Sequence, residues 1–372
     1  MQYQEIESQE ALKVLLYSRE QLGHIAFQAV DLLEFSDRVA EVSFHQCLFL
    51  GCRISNEMRV QFSEDNFIFP EFKSPYKLYP NTLYDRHQMF DQYELGKPES
   101  YQKTYDKIVY DHFTQTNFLK ENIRESLSRT LHDHSIADAM NDFLHQFDER
   151  KVVGIMGGHS LHRTNKKYKK VAHIARNLTK KGYLMISGGG PGAMEATHLG
   201  AWFADKPKEE LDKAIKVLEK APSYKDKLWL ETAMQVLESK KSSIYSSIGI
   251  PTWLYGHEPP TPFATHIAKF FDNSIREDAI LTIAKGGLIF APGSAGTIQE
   301  IFQDATQNHY LTLGYSSPMI FFGKDYWTKE RPIYPLLKSL SDEEKYKNML
   351  LSITDDEDDI EDALEDFYNP ED

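Results

Sequence analysis

The stretch Leu288-Ile289-Phe290-Ala291-Pro292-Gly293-Ser294-Ala295-Gly296-Thr297-Ile298-Gln299-Glu300 constrains the fold more than any other part of the chain. Its first residues read as a short buried strand. A turn of small residues follows, and Ile298, Ile301, Phe302 and Ala305 then recur at i, i+3, i+4 and i+7, the period of an amphipathic helix. A helix entered through glycines offers its free first-turn N–H groups to whatever sits above the turn. Gly293 and Gly296 carry no side chain to keep an anion away. Glu300 falls about half a turn off the apolar stripe, so its carboxylate is expected at the mouth of the turn and not in the core.

A second turn of the same kind lies upstream. Tyr183-Leu184-Met185-Ile186-Ser187 reads as a strand running into Gly188-Gly189-Gly190-Pro191-Gly192-Ala193-Met194-Glu195, where Pro191 suits a helix start. Before it, Val152–Met156 is an apolar strand ending in Gly157-Gly158-His159-Ser160. Tyr168–Lys180 is a helix with Val171, Ile174, Ala175 and Leu178 on one face, stopped by Gly182. A helical insertion over Lys208–Ser239, broken by Pro222, precedes a strand at Ser247–Leu254 and the loop Tyr255–Pro260. A helix is expected over His266–Lys285. After the first motif come a strand at Pro318–Phe322, a helix at Ile333–Leu340, a strand at Met349–Ile353 and an amphipathic helix within the acidic run Asp355–Asp366. Strands alternating with helices, with glycine turns at strand ends, predict an α/β fold. The expectation is a doubly wound parallel sheet, Rossmann-like, over residues 151–372, with both turns facing one crevice at the carboxyl ends of the strands.

Residues 1–150 carry less information and are expected to form an amino-terminal accessory domain of mixed, helix-containing structure. Leu12, Leu15, Leu16, Leu22, Ile25 and Ala26 predict a helix over Glu10–Leu33, an apolar strand is expected around Cys47–Leu50, and no internal repeat is evident. Residues 64–103, rich in Pro, Tyr and Asn, predict ordered loops, with helices again at Ser100–Phe113 and Asn117–Phe147. His132, His134 and His145 lack Cys or carboxylate neighbours at ligand spacing, so no metal is expected. Cys47 and Cys52 fit neither zinc nor redox spacing and read as buried free thiols of a reducing compartment. The chain has 42 basic against 56 acidic residues and a net charge of −14, which argues against a nucleic-acid polymer or a membrane surface as partner. A small anion can still be held by local backbone dipoles. No apolar run approaches about 18 residues and Met1–Glu5 has no leader character, so a cytoplasmic protein is expected.

Gly188-x-Gly190-x-x-Ala193 matches a dinucleotide fingerprint. No strand ending in an acidic residue follows about 20 positions on, which argues against a nicotinamide or flavin, and no cofactor is expected. Taken together, Gly188–Glu195 and Pro292–Glu300 resemble the paired signatures of the Lonely Guy family of nucleoside 5'-monophosphate phosphoribohydrolases, formerly labelled lysine decarboxylases. The family's second motif is Pro-Gly-Gly-x-Gly-Thr-x-x-Glu, and this chain keeps every fixed position but one, with Ser294 in place of a glycine. The likeness includes Arg276 on the helix before the motif strand, although Glu277 follows it where the family often has Lys, and it spans about residues 151–355. It implies cleavage of the N-glycosidic bond to free base and ribose 5-phosphate, and a homo-oligomer with sites near subunit contacts. It also implies an extra domain of the kind carried by the larger bacterial nucleotide nucleosidases. The alternative is a nucleotide-binding sensor of the same fold without hydrolysis. No lysine in either motif is placed for a Schiff base, which argues against decarboxylation.

The reaction suits these residues. Breaking a ribosyl C1'–N bond builds oxocarbenium character that a carboxylate can offset while it orients water, and Glu300 is the candidate. Arg276 is expected to hold the phosphate or ribose. Gly293, Ser294, Ala295, Gly296 and Thr297 are expected to bind the 5'-phosphate, with Gly188, Gly189, Gly190 and Met194 along the substrate's approach. Each has a plainer reading. Thr297-x-x-Glu300 has capping-box spacing, in which Glu300 only satisfies the backbone at Thr297. Arg276 can be a helix-surface residue paired with Glu277 or Asp278. His159, His162 and Arg163 either touch the ligand or form a polar loop. Glu195 is either a second carboxylate or a helix residue tied to a neighbouring backbone group, and His257 and Glu258 sit in a Pro-rich loop able to cover the pocket.

Overall fold

The computed structural model describes residues 3–62, 65–116, 122–240 and 242–369. The chain forms two compact units, Met1–Leu83 with Thr116–Asn141, and Tyr84–Gln115 with Asp142–Asp372.

The second unit is built on seven parallel strands: β1 (Val152–Met156), β2 (Leu184–Ser187), β3 (Ser247–Gly249), β4 (His266–Ile267), β5 (Gly287–Phe290), β6 (Pro318–Phe322) and β7 (Leu350–Thr354). Their order is β4-β3-β2-β1-β5-β6-β7, a Rossmann-like α/β sheet. Every residue of β1, β2, β5 and β6 is buried, which is why these segments read as unbroken apolar runs. Full burial of each Ile or Phe side chain contributes roughly 1.5–3 kcal/mol. Helices flank the sheet. Helix α1 (Lys166–Lys180), capped by Asn165, buries Val171, Ile174, Ala175 and Leu178 in one core with Ala196 and Leu199 of α2 (Ala193–Trp202). The crevice is framed by α3 (Asn273–Ile283) and α4 (Ala295–Tyr310). In α5 (Glu357–Tyr368), Ile360 and Leu364 are buried, as the spacing within the acidic run predicts. The chain leaves β1 through β2, β3 and β4 on one side and returns beside β1 at β5. Ligands of open α/β sheets bind at such a reversal, outside the carboxyl ends of the strands.

Two segments of this unit differ from the sequence reading. The strand expected to reach Leu254 stops at Gly249, and Trp253–Tyr255 is a helical turn capped by the Thr252 side chain. His266–Lys285 is not one helix: His266–Ile267 pairs with β3 as β4, and the helix starts at Asn273 with Asp272 as its cap. Between them Lys269 is fully buried, paired with Asp106 and lying over the Trp253 ring at 5.2 Å. Such contacts explain why Tyr84–Gln115, assigned by sequence to the amino-terminal domain, clusters with the sheet. Tyr84 exchanges backbone hydrogen bonds with Ile267 at 3.0 and 2.7 Å, and Glu231 accepts from the Tyr93 hydroxyl at 2.8 Å and from the Gly96 N–H at 3.0 Å.

The first unit is a short parallel solenoid whose coils combine strands with the helices Gln9–Ser18, Ser36–Glu41 and Asn56–Gln61. Gln4–Ile6, Ile25–Gln28, Leu48–Leu50 and Phe67–Phe69 stack side by side in that order, and Gln21–Gly23 pairs in parallel with Ser43–His45. Arg53 donates to Asp31 and Asn66 to the Phe44 carbonyl, each across 22 residues, which marks the length of one coil. Inside, Phe27 stacks on Phe49 at 5.0 Å and Phe49 on Phe62 at 4.3 Å. The expected Glu10–Leu33 helix is therefore α-helical only over Gln9–Ser18, with a 3-10 turn beginning at Leu32, and the backbone of this unit repeats coil by coil. Cys47 and Cys52 are free thiols, and burial pushes Cys52 up to about 12. The helix expected from Asn117 runs over Ile123–Leu144; residues 117–121, like Met1 and Gln2, lie outside the described residues. Among the described residues no helix is long and apolar enough to cross a membrane.

Candidate functional site

Three glycine loops converge at the reversal of the sheet. The Ala291 N–H donates to the Met156 carbonyl at 2.8 Å, Gly158 N–H to the Pro292 carbonyl at 3.0 Å, and Ala193 N–H to the Gly158 carbonyl at 3.2 Å. The loops after β1, β2 and β5 are thereby tied around one cleft of about 350 Å³. That falls within the range of small-molecule sites, roughly 300–1,000 Å³.

One wall is the start of α4. Its N-cap is Ser294, whose side chain caps nothing, so the first-turn N–H groups of Ala295, Gly296 and Thr297 have no helical carbonyl to donate to, and all four residues line the cleft. This geometry removes the capping-box reading. Thr297 lies inside the first turn and is not the N-cap, so Glu300 is not the residue that would close such a box. Ser294 has a negative φ of −112°, so the position does not demand the left-handed backbone that favours glycine. Gly293 does not line the cleft. A Cβ there would stand 2.1 Å from Thr297 Oγ1, so glycine is what lets the hydroxyl approach the turn.

Arg276 and Glu300 meet in the cleft. Arg276 is 9% exposed, not a helix-surface residue, and it is bound to neither Glu277 nor Asp278. Its Nε donates to the Ile250 carbonyl at 2.7 Å, Nη2 to the Gly188 carbonyl at 3.4 Å, and Nη1 lies 4.0 Å from Glu300 Oε1. A Cβ on Gly188 would sit 2.2 Å from Nη2, so the glycine makes room for the guanidinium. Glu277 also lines the cleft, held by Asn273 Nδ2 and Gln299 Nε2, each at 2.7 Å. Burial pushes the Glu300 carboxyl up to about 7; Arg276 pulls it down and Glu277 adds to the rise. One turn further along α4, Asp304 is 2% exposed, its Oδ2 has no hydrogen-bond partner among the described residues, and burial pushes it up to about 8.

Of the other expected residues, Gly188, Gly190 and Met194 line the cleft, whereas Gly189 does not. Gly189 has φ +68° and backs onto Gly249, Ile250 and Pro251, so its task is the turn itself. Glu195 is neither a second cleft carboxylate nor tied to the backbone. It is fully buried, bonded by Arg163 Nε and the Tyr168 hydroxyl, each at 2.8 Å, and by Arg163 Nη2. Arg163 therefore belongs to the core, and His162 lies outside the cleft. His159 and Glu258 do line it, with His159 Nδ1 3.4 Å from Glu258 Oε1. Sequence reasoning passed over Pro251, Thr252, Tyr255, Glu277 and Gln299 as lining residues. The available signal for the first three was Pro251, which cannot donate to a strand ladder and so marks the end of β3 just before it; Glu277 and Gln299 reach the cleft from α3 and α4.

No family model and no curated protein matches the chain. Among solved structures, a molybdenum cofactor binding protein from the phototrophic bacterium Rippkaea orientalis aligns at 12% identity and a TM-score of 0.37, covering 58% of this chain and 96% of that one.

Proposed function

We propose that the protein is a Lonely Guy-type nucleoside 5'-monophosphate phosphoribohydrolase, cleaving the N-glycosidic bond to free base and ribose 5-phosphate. The observation that carries the reading is Glu300, a buried carboxyl near neutrality, 4.0 Å from Arg276 and beside an uncapped helix start. The first-turn N–H groups and the Thr297 hydroxyl hold the 5'-phosphate, an arrangement favoured by the helix dipole. Arg276, fixed by two backbone carbonyls, sets the ribose over Glu300. Ionised Glu300 takes a proton from the attacking water while its charge offsets the oxocarbenium character at C1'.

The test is to incubate the protein with each common nucleoside 5'-monophosphate and assay free base and ribose 5-phosphate, with the parent nucleosides alongside. Equimolar products from a monophosphate, and none from its nucleoside, are expected. Binding without any product would instead favour a nucleotide sensor.

A further inference from the structure

Three carboxyls line the cleft, and beside Glu300 and the amide-held Glu277 stands Glu258, which has no task in the scheme above. Glu258 follows the helical turn Trp253–Tyr255 in the loop between β3 and β4, and its N–H is held by the Tyr255 carbonyl at 2.9 Å. Its side chain is 13% exposed and lines the same cleft as Glu300. It stands between the loops after β1 and β2: His159 Nδ1 is 3.4 Å from Oε1, and a Cβ on Gly190 would be 3.8 Å from Oε2. Glu300 comes from the helix after β5, on the other side of β1. Burial raises the Glu258 carboxyl; His159, His257, Arg276 and Lys225 facing it pull the other way. Among the cleft's other proton carriers, Tyr255 is 47% exposed and the His159 side chain 43%, so Glu258 is the most sheltered donor on this wall.

Resting on the phosphoribohydrolase reading, we propose that Glu258 is the general acid that protonates the departing nucleobase. In most glycoside hydrolysis a poorly departing group takes a proton from one carboxyl while another carboxyl acts on the opposite side of the sugar, and separate environments let two carboxyls hold opposite states. The C1'–N bond breaks with its electron pair passing to the base nitrogen, which the Glu258 proton neutralises. The water oxygen bonds to C1' and its proton goes to Glu300. Exchange with solvent then returns one proton to Glu258 and removes one from Glu300, so the net reaction is nucleotide plus water to base plus ribose 5-phosphate.

The test compares two leaving groups: the best natural monophosphate, and 4-nitrophenyl ribofuranoside 5-phosphate, whose phenolate departs without a proton. Glu258→Gln is expected to lose about 10²- to 10³-fold on the natural nucleotide and less than about threefold on the nitrophenyl substrate. Retained nitrophenyl turnover also demonstrates a folded variant, and Glu258→Ala should reproduce the split. Equal losses on both substrates, or none on either, in variants with the wild-type circular dichroism overturn the assignment while leaving the enzyme reading intact. A wild type that turns over neither substrate overturns both.

Discussion

Arg276 Nη1 stands 4.0 Å from Glu300 Oε1, between two largely buried side chains carried by α3 and α4, the helices before and after β5. The separation exceeds a hydrogen bond, so the two interact through charge alone. Arg276 directs Nε and Nη2 at the Ile250 and Gly188 carbonyls, and this leaves Glu300 desolvated and only partly compensated. A carboxyl in that state is a far better base at neutral pH than an exposed one.

The pH dependence follows. With Glu300 at about 7 and active when ionised, kcat/KM is expected to fall about tenfold per pH unit on the acid side of neutrality. An acid limb centred near 4.5, the value of an ordinary glutamate, would show that Glu300 is solvated in the free enzyme and would contradict this environment.

Arg276→Ala should cost both activity and stability. The variant loses two bonds to buried carbonyls, a loss of roughly 1–3 kcal/mol, and the clamp on the ribose, for about 10² or more in kcat/KM. It also removes the charge that holds Glu300 down, so residual activity should have its acid limb at higher pH than wild type. An unchanged limb would separate the two residues electrostatically.

Asp304 gives a stability signature independent of turnover. Its folded value of about 8 lies above the 3.8 of an unfolded aspartate, so between these values the native state binds more protons than the unfolded one. Stability from this group is therefore complete below about pH 4 and is lost as pH rises toward about 8. Asp304→Asn should melt close to wild type at pH 4 and progressively above it up to pH 8, by on the order of a few kcal/mol. Parallel melting curves across that range would mean that the carboxylate has a partner in solution.

The parts that position the site were legible because they are local. Glycines at strand ends, a first-turn helix and the buried runs of β1 and β6 each follow from a few consecutive residues. Arg276 is visible only through the family resemblance, since its burial depends on carbonyls in the loops just after β2 and β3 that spacing along one helix cannot reveal. The solenoid was not legible for a different reason. Its strands are three or four residues long, too short to show alternation, and its corners at His24, Ala29 and Gln46 take positive φ without glycine, so the usual turn punctuation survives only at corners such as Gly51. Apolar spacing from Leu12 to Ala26 consequently continued a helical pattern across residues that stack as strands. The role of Glu195 on α2 is not legible in sequence because its partner Arg163 lies in the loop after β1, 32 residues away.

The most direct measurement is single-turnover hydrolysis by Glu300→Gln beside wild type, with nucleotide affinity read by calorimetry on both. Glutamine keeps the shape of the side chain but can neither take the water's proton nor offset charge at C1'. A folded variant is expected, with the wild-type affinity for the monophosphate and a rate lowered by about 10² to 10⁴, or roughly 3–5 kcal/mol of barrier. Release of base and ribose 5-phosphate by Glu300→Gln within about tenfold of wild type would contradict it.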